Sequence, residues 1–241
     1  MNAAITQHVH HGLETAGRRV DIVVIDLLGG LCHERERIGA CMAKALSNAD
    51  FHAEPGDIAQ LACLPCHVAL ERWIASTTSL APDVIRPLVV AVRQDFRERL
   101  TASIRASPEI RTFPGAATLL AELGAHGISV AIDSELDGDI ATDFLRAAGF
   151  AGKGWVDAVV GADEVATPRP GPGQVEEALR RCGHGAGAVV VKVAGSAIDA
   201  QAAIRAGCAS IFSLEPNLVV GRSPVSDLGE LAERMLGRPI P

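Results

Sequence analysis

Tyrosine is absent from this 241-residue chain, and aromatic residues make up only 3% of it. Base-stacking platforms need aromatic faces, so the scarcity argues against a single-stranded nucleic-acid surface. Positive charge is also in short supply. Lys and Arg total 22 against 29 Asp and Glu, a formal net charge of −7. Phosphate backbones and anionic membranes attract the opposite balance. No stretch reaches the ~18 consecutive apolar residues of a membrane span, and no internal repeat or low-complexity segment is present. Arg18-Arg19 precedes an apolar run in the manner of an export signal. Asp21 and Asp26 interrupt that run, however, and no small-residue cleavage site follows. A cytoplasmic protein is therefore expected, with its six cysteines as reduced thiols and not as a disulfide framework. Residues 1–18, polar and carrying His8, His10 and His11, read as a frayed lead-in, with a metal-binding tract as the other option.

Core material is plentiful. A hydrophobic share of 48% over this length fills one large domain, or a core with a smaller insert. The most informative stretch is Arg19-Val-Asp-Ile-Val-Val-Ile-Asp-Leu-Leu-Gly-Gly-Leu31. Its β-branched apolar run suits a central strand covered on both faces. The run ends at Asp26, and Gly29-Gly30 follows on a loop free to close on a ligand. In open parallel sheets the carboxyl edge is where ligands bind. Two readings fit Asp26: a site carboxylate, or a cap of the following turn.

The rhythm then becomes helical. Helices are expected over Glu34 to Ala49, around Ile58 and Leu61, from Pro65 through Ile74, and from Pro82 through Ile104. Residues 33–107 therefore read as all-helical. Phe113-Pro114-Gly115 marks a boundary, after which strands and helices alternate. Strands are expected at Ile128 to Ile132, Ala158 to Val160, Ala188 to Val193 and Ala209 to Phe212. Helices are expected at Ala116 to His126, Asp139 to Ala148, Pro172 to Cys182, Ala197 to Ala206 and Val225 to Leu236. Strands spaced by single helices predict right-handed βαβ units. The expected fold is α/β: a doubly wound parallel sheet built from residues 19–32 and 108–241, with an all-helical cap domain over residues 33–107 inserted after the first strand.

Polar groups recur at the predicted strand ends: Asp26, Asp133-Ser134, and Ser196 with Asp199. Arg169, in Thr-Pro-Arg-Pro-Gly-Pro, stands just before a helix. A carboxylate can attack, a hydroxyl can donate to an anionic oxygen, and a guanidinium neutralises charge with a fork of donors. Each also has a plain structural role: Ser134 and Ser196 as helix N-caps, Asp199 as a first-turn acid, Arg169 as a surface residue. Their shared sheet edge favours the site reading for the set.

In this order the features resemble the haloacid dehalogenase-like hydrolase superfamily, and within it the phosphonatase-like branch. The resemblance runs from Val20 to Leu236. Asp26-Leu-Leu-Gly-Gly30 is similar to the opening Asp-x-x-Gly-Thr, and Phe113-Pro-Gly115 to the segment after the cap. Ser134 stands at the second motif and Arg169-Pro-Gly-Pro172 at the third. Val193-Ala-Gly-Ser-Ala-Ile-Asp199 stands at the fourth, Val-Gly-Asp-Thr-x-x-Asp. The resemblance implies Asp26 as a nucleophile that forms a covalent aspartyl intermediate, with Ser134 and Arg169 holding the transferring group. It also implies substrate contacts from Leu28, Gly29, Gly30, Ser196 and the cap residues Cys66 and His67. Mg²⁺ would lie on Asp26, Asp199 and the Leu28 carbonyl.

The departures bear on that picture. The usual threonine is Gly30, and the usual metal-ligating acid of the fourth motif is Gly195. Mg²⁺ prefers octahedral oxygen ligation with one or two carboxylates, so its binding is expected to be weak or absent. Cys66 stands near the cap lysine of phosphonoacetaldehyde hydrolases; a thiol cannot form their imine, so that activity is not expected. Cys63-Leu-Pro-Cys66-His67 has the form of c-type haem attachment, but haem would require export and is not expected. A zinc site drawing on Cys63, Cys66, Cys32, His33 and Cys41 lacks a second paired motif, which leaves buried cap thiols as the plainer reading. The expected function is hydrolysis of a small phosphorylated or activated metabolite. The alternatives are a metal-independent, dehalogenase-like attack on carbon and a non-catalytic anion-binding protein. The expected partners are a small-molecule substrate and, at most, a second copy of the chain.

Overall fold

The structure, a computed structural model, describes residues 19–214 and 223–236. The lead-in expected over residues 1–18 lies outside the described residues. Strand β1, Ile22–Asp26, is buried along its whole length. Its side chains divide by parity. Val23 and Ile25 join one apolar cluster, while Ile22 and Val24 join another on the opposite face. A strand covered on both sides favours apolar residues at successive positions, here Ile22 to Ile25, which is why the sequence shows a run and not an alternation.

Around β1 the sheet has the order β3-β2-β1-β4-β5-β6, and every pairing is parallel. The other strands are β2 Ser129–Asp133, β3 Ala158–Val160, β4 Val190–Val193, β5 Ser210–Ser213 and the two-residue β6 Ser223–Pro224. Strand order reverses between β1 and β4, which places the ligand-binding crevice of an open α/β sheet at their carboxyl ends. The register brings Asp26 level with Asp133, and Ile25 level with Val193.

Helices α5 Ala116–Ala125, α6 Gly138–Ala147 and α9 Leu228–Leu236 contribute to the cluster beneath Val23 and Ile25. Helix α7 Gly173–Arg181 supplies Val175 and Ala178 to the opposite cluster, and α8 Ala197–Arg205 packs Ala200 and Ala203 against Ile211. The sheet is therefore covered on both faces, as expected of a doubly wound α/β fold.

Between β1 and β2 the chain forms α1 Arg35–Asn48, α2 Pro55–Leu61, α3 Cys66–Thr77 and α4 Pro82–Ala106. The buried residues of α4 are Ile85, Val89, Val92, Phe96, Leu100 and Ile104, spaced at three and four, and this stripe faces α1 and α3. Two α4 arginines tie these helices to the sheet domain. Arg93 reaches Asp137 at 2.6 Å, and Arg97 pairs with both Asp137 and Asp139.

Differences from the sequence expectation are local. The closing helix starts at Leu228 and not at Val225, because Asp227 accepts the Glu230 N–H at 2.8 Å while Glu230 reaches back to the Ser226 N–H. Strand β6 has no apolar run to announce it and was not expected. Among the described residues, no helix is long and apolar enough to cross a membrane.

Gly115 precedes α5 and packs directly against the first turn of α9. Its φ is +79°, and a Cβ there would meet the Gly229 nitrogen at 2.5 Å. Gly115→Ala is expected to cost about 2 kcal/mol or more, read as a lower urea midpoint; an unmoved midpoint would mean that α9 simply steps away.

Candidate functional site

The site begins where β1 ends. Asp26 is fully buried, and the chain turns over Leu27–Leu31 with Gly29 at φ 97°. A Cβ at Gly29 would stand 2.8 Å from both the Arg35 guanidinium and the Gly195 carbonyl. Gly30 is nearly as tight, with 3.2 Å to the Asp26 Cβ and the Val193 carbonyl. The two glycines let the turn fold back over the carboxylate, so their smallness is a packing requirement as well as a conformational one.

Arg169 lies at the centre, with its side chain 1% exposed. One Nη donates to Asp26 Oδ1 at 2.8 Å and lies 3.4 Å from Glu135. The other lies 3.1 Å from Asp133 and 3.3 Å from Asp199. Lys192, also fully buried, reaches Asp133 at 2.5 Å and Asp199 at 3.0 Å. Four carboxylates thus share two deeply buried cations. Gln174 holds the arrangement in place: its Oε1 accepts from the Arg169 N–H at 3.2 Å, and its Nε2 donates to the Ser134 carbonyl at 2.6 Å.

Burial disfavours charge, and the cations oppose it unequally. Asp26 is pushed up to about 6 by burial, against the pull of Arg169 and with Glu135 adding to the rise. Burial likewise raises Asp199 to about 6 despite Arg169 and Lys192. Burial also acts to raise Asp133, but Lys192 and Arg169 outweigh it and hold that carboxyl below its usual range. Lys192 is raised: burial alone would lower it, and Asp133 and Asp199 overcome that.

A third cation closes the site from the side of the helices. Arg35, the first residue of α1, has a side chain 28% exposed. Its Nη2 donates to the Leu28 carbonyl at 2.5 Å and the Gly195 carbonyl at 2.8 Å, and stands 3.8 Å from Asp26 Oδ2. Its Nη1 donates to the Cys63 thiol at 3.0 Å and lies 3.6 Å from Glu135. Asp26 Oδ2 itself is buried with no hydrogen-bond partner. A cavity of roughly 440 Å³ opens beside this arginine, lined also by Gly29, His33, Arg111 and Phe113.

The residues expected at the site therefore fall into groups. Asp26, Leu28, Gly29, Gly30, Arg169 and Asp199 come together. The Ser134 hydroxyl is buried and accepts the Leu136 N–H at 3.1 Å. Ser196 caps α8, its hydroxyl accepting the Asp199 N–H at 3.2 Å. Cys66 is buried at the start of α3, its thiol pushed up to about 12 by burial, with Arg93 and Arg97 as its charged neighbours. The cysteine joined to the Asp26 side of the structure is instead Cys63, through Arg35. His67 is partly buried next to Cys66, facing the charges of Arg93, Asp163 and Glu71. All six cysteines are free thiols. Among the described residues, the clustered potential metal ligands are Asp26, Asp133 and Asp199, so the cysteines and His33 do not gather as a zinc site.

Lys192, Glu135 and Arg35 escaped the sequence reading. Lys192 did leave a signal: a lysine inside Val-Val-Lys-Val has to be paired if the strand is buried.

Mg²⁺ does not fit the site as it stands. The oxygens of Asp26, Asp133 and Asp199 lie within 4.8 Å of one another, but Arg169 and Lys192 already occupy their shared side. The other converging oxygens, Asp26 Oδ2 and the Leu28 carbonyl, surround Arg35. No acid can be supplied from Gly195 without rearrangement, because a Cβ there would lie 1.8 Å from Asp26 Oδ2 and 2.3 Å from the Leu28 carbonyl.

This geometry sits on a recognised family background. Residues 23–213 match the family model of haloacid dehalogenase-like hydrolases, and the chain belongs to that family. No curated protein matches the sequence. Solved structures share the fold. CbbY from Rhodobacter sphaeroides, crystallised as a variant with xylulose-(1,5)bisphosphate, superposes with a TM-score of 0.71 at 20% identity, covering 88% of this chain and 96% of that one. A Bacteroides fragilis protein assigned to the haloacid dehalogenase-like hydrolases gives 0.71 at 19% identity, covering 88% and 100%. A Lactobacillus plantarum protein assigned as a phosphoglycolate phosphatase gives 0.69 at 14%, covering 90% and 100%.

Lys192→Met leaves Asp133 and Asp199 short of a buried counterion, and a loss of roughly 3–5 kcal/mol is expected in urea unfolding. Adding Asp133→Asn should restore part of that loss. A double variant no more stable than the single one would show that the lysine acts by packing and not by charge.

Proposed function

We propose that this chain is a phosphonatase-like hydrolase that attacks a small, anionic, phosphorylated or otherwise activated metabolite through Asp26, with weakened or absent dependence on Mg²⁺. One observation carries the proposal. Asp26 ends the central strand with Oδ1 held by Arg169 at 2.8 Å and Oδ2 buried but free of hydrogen bonds. One oxygen is fixed and the other is left with its lone pairs available, as a nucleophilic carboxylate requires.

In this reading Oδ2 attacks the electrophilic centre, the leaving group departs with the bonding electrons, and a covalent aspartyl ester or acyl phosphate forms. Water then hydrolyses it and returns the carboxylate. Arg169 fixes the nucleophile and, with Lys192, moderates the charge around it. Helices α1 to α4 act as the cap, and Arg35 and Cys63 stand where a substrate entering between cap and sheet would meet them. The cavity beside Arg35 is also lined by Arg111 and by Glu36, which pairs with Arg111 at 3.4 Å, so Arg35 is the cation of that lining that supports a small anion. The xylulose bisphosphate bound by CbbY supports a phosphorylated substrate class. Six free thiols support a reducing, cytoplasmic setting.

Gly195 favours a second reading, in which Asp26 attacks carbon, as in the metal-independent dehalogenases the sequence also resembles. Turnover against phosphate esters and 2-haloacids, with and without Mg²⁺, separates the two. Asp26→Asn is expected to lower kcat by about 10³-fold or more while leaving the fold intact. Turnover that survives the substitution would remove Asp26 as the nucleophile. A folded protein inactive on every substrate would leave an anion-binding protein in place of an enzyme.

A further inference from the structure

Arg35 is held in an unusual way for an arginine. Arginines at an active-site rim ordinarily pair with carboxylates or wait for an anion. Here Nη2 is fixed by two backbone carbonyls from distant parts of the chain, Leu28 at 2.5 Å and Gly195 at 2.8 Å. Two buried carboxylate oxygens stand just beyond hydrogen-bonding range of the same guanidinium, Asp26 Oδ2 at 3.8 Å and Glu135 Oε1 at 3.6 Å. Neither of those oxygens has a hydrogen-bond partner. Carbonyl and carboxylate oxygens converging on one point are the donor set of a hard cation. Nη2 fills that point beside Leu28, Gly195 and Asp26, with Glu135 nearer Nη1; the absence of a side chain at Gly29 makes room for the guanidinium, and that at Gly195 makes room for Asp26 Oδ2 and the Leu28 carbonyl.

We propose that the Arg35 guanidinium is the built-in cation of this site, taking the place of a divalent metal and binding the oxyanion of the substrate directly. The inference rests on the reading of Asp26 as the reacting carboxylate. Charge supports it. Asp26, Asp133, Glu135 and Asp199 are all buried, and Arg169 and Lys192 balance two of the four. Arg35 supplies a third positive charge beside Asp26 Oδ2, a carboxylate oxygen without a hydrogen-bond partner at the end of β1. Its donors support it too. Of the five N–H groups of a guanidinium, three are used on Leu28, Gly195 and Cys63. One on Nη1 and one on Nε remain, on a side chain that is 28% exposed. An oxyanion such as phosphate or carboxylate is their chemical match.

The test is binding, so it does not depend on finding the natural substrate. Calorimetry on the full chain would measure inorganic phosphate in the presence of EDTA, and Mg²⁺ alone, for the wild type, Arg35→Gln and Arg35→Lys. Thermal unfolding checks that each variant folds. The wild type is expected to bind phosphate without metal and to show no Mg²⁺ binding. Arg35→Gln should weaken phosphate about tenfold or more. Arg35→Lys, which keeps the charge but not the fork of donors, should bind phosphate more weakly than the wild type and more tightly than Arg35→Gln, and serves as the folded reference should the glutamine variant unfold. Removing the guanidinium with Arg35→Ala frees the oxygen nest. Mg²⁺ should then raise its melting temperature by on the order of 3 °C at tenfold the dissociation constant. The inference is overturned by Mg²⁺ binding to the wild type, by phosphate binding that requires Mg²⁺ or is missing altogether, or by equal phosphate affinity in Arg35→Gln. Failure of Asp26→Asn to abolish turnover, with these binding results intact, would sink the nucleophile assignment and leave the cation assignment standing.

Discussion

Arg169 holds the carboxyl edge of the sheet together. Its guanidinium lies within 3.4 Å of Asp26, Asp133, Glu135 and Asp199. Carboxylates buried this deeply repel one another and lose hydration, and neither effect is tolerable without counterions. Arg169 sits among all four, and Lys192 repeats the pairing for Asp133 and Asp199. These groups come from separate loops and strands, so the charge network also sets the relative positions of β1, β2, β4 and the loop before α7.

The site follows from how that network is filled. Asp26 has one oxygen committed to Arg169 and one uncommitted, an asymmetry created by the position of a single guanidinium. The uncommitted oxygen faces Arg35, which arrives on the first helix after the turn. The missing side chain at Gly29 allows the arginine to approach the backbone this closely, and the one missing at Gly195 leaves room for Asp26 and the Leu28 carbonyl. A family fold ordinarily read as metal-assisted is here built with positively charged side chains around its central acid. The pairing of α4 with Asp137 and Asp139 sets how the helices stand over the same edge.

Much of the framework was legible in the chain itself. An apolar run that must be buried on both faces identified β1, and the polar residue ending it identified Asp26. The amphipathic period through Val84, Leu88, Val92, Phe96, Leu100 and Ile104 and the proline at its start gave α4, although in the first turns the buried positions are Ile85 and Val89. Ser196 had two readings in the sequence, a site hydroxyl and a helix cap, and in the structure its hydroxyl caps α8. Boundaries moved where a side-chain cap, such as Asp227, set the first turn.

What the sequence by itself determined was local: which segments bury their faces, where the chain must turn, and that one carboxylate ends the central strand. Those features depend on near neighbours, and near neighbours are written in order. The tertiary structure alone decided the partners. Lys192 meets a carboxylate 59 residues away, Arg169 meets Asp26 across 143 residues, and Arg35 meets the Gly195 carbonyl across 160. Arg35 in particular reads as the polar start of a helix, and becomes a cation at the heart of the site only when folding brings Leu28, Gly195 and Asp26 around it. Long-range electrostatics leave almost no mark on local pattern, because a charged residue looks the same in sequence whether its partner is water or a buried carboxylate.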